Sequence, residues 1–88
     1  MNSKNLKTLR AIYTDPVPST IRWDDIETLL RYLEADITEG RGSRVRVRLN
    51  NIRGTFHEPH PRPQVCKCTV LDVREFLIAA GISKPNNE

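Results

Sequence analysis

No apolar run in this chain approaches the length of a membrane span, and the opening MNSKNLKTLR lacks a signal-peptide core. A cytoplasmic protein with no membrane role is expected. No internal repeat or low-complexity segment appears either. Cysteine is scarce, with only Cys66 and Cys68, one residue apart. A disulfide across so short a loop is strained, and a reducing compartment does not favour it.

What is present bounds the class. Eighty-eight residues make one domain with a single core. Hydrophobic residues at 38% and charged residues at 28% are proportions of a folded globular protein rather than a disordered one. The net charge of +3 conceals an asymmetry. Residues 41 to 53 hold five arginines and no acid, which leaves nine basic against eleven acidic groups elsewhere. Charge gathered on one segment points to a nucleic-acid or acidic-protein surface.

That segment lies in GRGSRVRVRLNNIRGTFHEPH, from Gly40 to His60. Arg44, Arg46 and Arg48 alternate with Val45, Val47 and Leu49, the period of a strand with one wet and one buried face. A two-residue Asn50-Asn51 turn predicts the pairs Leu49 with Ile52, Val47 with Gly54 and Val45 with Phe56 on the apolar face. The other face then sets Arg48 against Arg53, Arg46 against Thr55 and Arg44 against His57. Like charges facing across a sheet repel, and a polyanion relieves them. Arg41, Arg44, Arg46, Arg48 and Arg53 are the candidate RNA-binding residues. The plainer alternative is a solvated strand face, partly neutralised by Asp36 and Glu39.

Helical spacing of Leu6, Leu9, Ile12 and Tyr13 predicts a first helix over about 3–14, with Ser3 available as a cap. Asp15-Pro16-Val17-Pro18 is a stiff connector. Asp24 with Glu27 reads as a capping box, and Ile26, Leu29, Leu30 and Leu33 form one apolar face behind Trp23, which is expected to pack in the core. A short strand over 35–39 follows, joined through a Gly40-Arg41-Gly42 loop that sets Ile37 opposite Val45. Gly54 in mid-strand marks a bulge or leaves room for a close approach. Thr69 and Asp72 suggest the start of a last helix whose buried stripe is Val70, Val73, Leu77 and Ala80, with Phe76 beside it and Gly81 as its cap. The expected fold class is α+β, ordered α-α-β-β-β-α, with helices on one face of a three-stranded antiparallel sheet. Residues 84–88 are expected to be a loose tail.

His57, His60, Cys66 and Cys68 supply four zinc-ligand types within twelve residues. The Cys-x-Cys spacing is shorter than the usual ligand pair, and the prolines of the intervening EPHPRPQV stiffen it. Two ordinary thiols near a helix start are therefore the preferred reading, with no metal and no small-molecule cofactor expected.

From about Thr20 to Ser83 the chain resembles the HicA family of bacterial type II toxins, small mRNA interferases with a double-stranded-RNA-binding-like fold. The matching features are the helix WDDIETLLRYLEA, the Gly42-Ser43 turn opening the central strand, His60-Pro61 after the third strand, and a last helix closing with Ala79-Ala80-Gly81-Ile82. They span about three quarters of the chain. Residues 1–15 are a helical extension of that 20–83 core within a single domain 1–88. The resemblance implies mRNA and a HicB-like antitoxin protein as partners.

One departure is decisive for chemistry. The family carries a histidine, regarded as catalytic, one or two residues after its Gly-Ser turn, where this chain has Arg44 and Val45. Two readings remain: the activity persists with a rearranged site, or RNA is bound without cleavage. In the first, His57 facing Arg44 replaces the missing group. Cleaving RNA without metal requires a base for the 2′-OH proton, an acid for the leaving 5′-oxygen and a cation on the phosphate. His57, His60 and Arg44 or Arg46 match those roles. Equally, His57 is readable as an ordinary strand-end residue and His60, between two prolines, as a backbone hydrogen-bonding group.

Overall fold

The alternation along 44–49 does what a period of two must do. In the computed structural model, which describes residues 3–59 and 64–83, Val45, Val47 and Leu49 are buried and the three arginines between them are exposed. They form β2 (Arg44–Leu49), the centre of an antiparallel sheet with β1 (Asp36–Glu39) on one side and β3 (Ile52–His57) on the other. The helices are α1 (Ser3–Ile12), α2 (Trp23–Tyr32) and α3 (Lys67–Ala79), giving α-α-β-β-β-α. Buried residues from both layers form one cluster, so the helices cover the valine face and leave the arginine face open.

The β2–β3 pairing has all six expected partners, from Leu49 with Ile52 to Arg44 with His57. Asn50 (φ 51°) and Asn51 (φ 69°) both take the left-handed conformation, which identifies the hairpin turn whose twist matches its strands. Asn50 Nδ2 also donates to the Ala80 carbonyl at 2.8 Å, tying the tip to the end of α3.

The first pairing differs from expectation. Ile37 lies opposite Val47, and Glu39 opposite Val45. A short 3₁₀ turn over Arg41–Ser43 lengthens the connection, with Gly42 (φ 66°) and Ser43 (φ 61°) both left-handed. The Gly40 N–H donates to the Arg44 carbonyl at 2.7 Å and closes the turn. Moving the register by two keeps every side chain on its face, so the apolar pattern is equally content with either pairing.

Two helix starts also shift. α2 opens at Trp23, and its N-cap is Arg22, which makes no side-chain capping bond. Arg22 is extended because it bridges Gln64, and its carbonyl accepts from the Asp25 and Ile26 N–H groups. Asp24 is therefore inside the first turn, where it and Asp25 oppose the positive end of the helix dipole. Trp23 is itself helical and only 3% exposed, which gives its ring to the core. In α3 the cap is Cys66, and Thr69 is a first-turn residue whose N–H donates to the Cys66 sulfur. The stripe of Val70, Val73, Phe76, Leu77 and Ala80 is buried, and Gly81 (φ 87°) ends the helix.

α1 belongs to the core. Leu9 and Ile12 are buried within the main cluster, while Leu6 is only half-buried. The carbonyls that the end of α1 leaves unpaired are taken by Arg74 of α3: Nε bonds Ile12 O at 2.8 Å, one Nη bonds Thr14 O at 3.0 Å, and the same nitrogen pairs with Asp15 at 3.1 Å. The Tyr13 hydroxyl donates to the Ile82 carbonyl. The 84–88 tail lies outside the described residues.

Gly54 is explained by aromatic packing, not by a bulge, since the ladder runs through it in regular register. A Cβ there would stand 2.8 Å from Phe76 Cδ1 and 3.0 Å from Phe56 Cζ. Those rings meet edge to face, 5.6 Å apart and at 84°. Gly54→Ala is expected to destabilise the protein by about 1–3 kcal/mol through overpacking. A urea midpoint shifted without a change in slope would check it, and an unshifted midpoint would show that the rings yield freely.

Candidate nucleic-acid interface

On the open face the pleat gathers Arg44, Arg46, Arg48 and Arg53, each exposed, from two neighbouring strands. Arg48 and Arg53 are direct cross-strand partners. β1 adds Asp36 opposite Arg48 and Thr38 opposite Arg46. The Asp36 carboxylate accepts from Arg48 at 2.9 Å, so one of the four arginines has an acidic partner. Both groups are well exposed, and such a pair is worth little in water. The expected neutralisation by Asp36 is thus present, and it is local to Arg48.

One depression of about 660 Å³ is lined by residues including Asp36, Thr38, Arg46, Arg48, Arg53 and Thr55. A second, of about 640 Å³, is lined by residues including Glu39, Arg41, Arg44, Arg46 and His57. Thr38 and Arg46 line both, so the two form one trough along the sheet. All five candidate RNA-binding arginines line it.

Backbone bonds shape the second depression. The Gly40-to-Arg44 bond folds Arg41 and Gly42 over the sheet end. From the other side the Glu58 N–H donates to the Ser43 carbonyl at 2.8 Å, extending the β2–β3 ladder past His57. His57 is exposed directly opposite Arg44, as the register requires. His60 lies outside the described residues. Among the described residues, no three His, Cys, Asp or Glu side chains are grouped to hold a metal ion.

Sequence reasoning missed Thr38 as part of this wall. Its place depends on the β1–β2 register, which the apolar pattern leaves open by two residues. Once Glu39 is set opposite Val45, it falls at the sheet end beside the glycine turn.

The trough offers cationic hydrogen-bond donors at regular strand spacing and no Phe, Tyr or Trp among its lining residues. Trp23, Phe56 and Phe76 are all buried in the core. Such a surface is suited to contacts with phosphate and sugar, with the His57 imidazole the ring among its lining residues. No helix among the described residues is long and apolar enough to cross a membrane. No family model, curated protein or solved structure matches this chain.

Proposed function

We propose that this protein is a HicA-like toxin of a type II toxin–antitoxin system, acting in the cytoplasm on mRNA as a metal-independent endoribonuclease. The observation that carries the reading is the trough itself: Arg41, Arg44, Arg46, Arg48 and Arg53 line one open sheet face that also presents His57. The double-stranded-RNA-binding-like character of the fold belongs to the same proposal. A HicB-like antitoxin would restrain the toxin by covering the trough with acidic or polar groups.

In this scheme Arg44 and Arg46 hold a phosphate against the sheet. His57 takes the proton of the adjacent 2′-OH, the freed oxygen attacks phosphorus, and the 5′-oxygen leaves with a proton from His60. Arg44 donates to the non-bridging oxygen as charge grows on it.

The test is incubation with a long mRNA in the presence of chelator. Wild type is expected to cleave. His57→Ala is expected to bind RNA but lose about 10²- to 10⁴-fold in rate, the usual contribution of a positioned base. A His57→Ala protein that cleaves at the wild-type rate would remove His57 from the chemistry.

A second reading is favoured by one feature of the site: Arg44 occupies the place where the resembled family carries its catalytic histidine. Under it the protein is a non-catalytic module that binds RNA or a partner protein on the same face. Salt-sensitive RNA binding without cleavage by wild type, and no growth arrest when the protein is expressed without an antitoxin, would select that reading.

A further inference from the structure

The two thiols lie at the other layer's helix start and take no part in the scheme above. Cys66 is extended (φ −72°, ψ 159°) and its sulfur is the N-cap of α3, accepting the Thr69 N–H at 3.4 Å. The same sulfur lies 3.2 Å from Thr69 Oγ1. Cys68 follows in the first turn of the same helix. Both cysteines are free and exposed. N-caps are ordinarily serine, threonine, aspartate or asparagine, because a cap must accept. A neutral thiol accepts weakly and a thiolate strongly, so the Thr69 N–H donated to Cys66 at the start of α3 favours its anion.

We propose that Cys66 and Cys68 form a two-thiol redox site in which Cys66 attacks small-molecule disulfides and Cys68 resolves the adduct. In the first step the Cys66 thiolate bonds one sulfur of the disulfide and expels the other as a thiolate. Cys68 then loses its proton to solvent and attacks the Cys66 sulfur, expelling the second small thiolate. The two protein thiols are oxidised to a disulfide and the small disulfide is reduced to two thiols. With one intervening residue the ring is strained, which makes the product readily reducible and the change reversible. Oxidation also withdraws the acceptor from Thr69 and uncaps α3.

The titration of the pair supports this division of labour. Hydrogen bonds from Cys68 and then Thr69 hold the Cys66 thiol down at about 7, and the same contact pushes Cys68 up. α3 has no acid in its first turn, and Lys67 separates the two thiols. Near neutral pH Cys66 is therefore the attacking group and Cys68 the reserve of protons.

The full chain is treated with glutathione disulfide at neutral pH and followed by intact mass. Wild type is expected to end lighter by two hydrogens with no lasting adduct. Cys68→Ser should accumulate a single glutathione adduct on Cys66. Cys66→Ser, which keeps an accepting cap, should react about tenfold more slowly. Iodoacetamide labelling of Cys66 against pH should give a midpoint of about 7 in wild type. Cys66→Ser reacting at the wild-type rate, a stable adduct on wild type, or a Cys66 labelling midpoint at the ordinary thiol value would each overturn the proposal.

Discussion

Replacing Arg44 and Arg46 together by alanine is expected to lower RNA affinity by about a hundredfold or more. A charge-assisted hydrogen bond contributes about 1.5–3 kcal/mol, and two are removed. Arg46 matters most because it lines both halves of the trough, whereas Arg48 already shares its charge with Asp36. The salt dependence should change with the affinity. Each lost phosphate contact lowers the slope of log affinity against log salt by about 0.7–0.9, so the double variant should fall by about 1.4–1.8. Arg31→Ala is the control, since Arg31 is an exposed arginine on the helix layer, paired with Glu27. It removes a positive charge without touching the trough. Filter binding at several salt concentrations checks both variants, and equal losses would assign binding to net charge rather than to this face.

Removing α1 is expected to abolish folding. The resemblance makes residues 1–15 an appendage, but the structure places Leu9 and Ile12 in the core and uses Arg74 to close the end of α1. Burying one large aliphatic side chain stabilises a fold by about 1.5–3 kcal/mol. Losing two, and exposing the α2 and α3 surfaces beneath them, consumes most of the about 5–15 kcal/mol that holds a domain together. A chain beginning at Val17 should therefore show no cooperative thermal transition. The milder Ile12→Ala should cost about 2–5 kcal/mol, lowering the melting temperature by about 10–30 °C. Circular dichroism melts check both. A sharp transition in the shortened chain would make α1 an ornament on a self-sufficient sheet.

The fold was legible wherever one physical rule acted alone. Alternation set which face of β2 is buried, and the paired asparagines then fixed the β2–β3 register, including His57 opposite Arg44. It was less legible where two rules gave equal answers. Alternation fixes the parity of the β1–β2 pairing but not a slip of two, and the left-handed conformation of Ser43 that decides it has no strong local signature. At α2 the Asp24 pattern was a real helix-start signal, yet the start is set by Arg22 bridging Gln64, forty-two positions away in sequence. Gly54 was ambiguous for the same reason, because Phe76 enters its space from another element. Of the site, the arginines and His57 were visible because they share a hairpin. Thr38 was not, because its partner Arg46 follows from the uncertain register.

The hydrogen bond from Asn50 to Ala80 gives the molecule a polarity. At that pole the hairpin tip, the end of α3 and, through Tyr13 and Ile82, the end of α1 are joined. A change of loop length there disturbs three elements at once. Among the described residues, the opposite pole, with the glycine turn, Arg41 and His57, is tied by the main-chain bonds from Gly40 to Arg44 and from Glu58 to Ser43. Insertions and substitutions at that free pole alter what the trough can grip while leaving the foundation intact. Selection can therefore rework specificity at one end of this sheet without renegotiating the fold at the other.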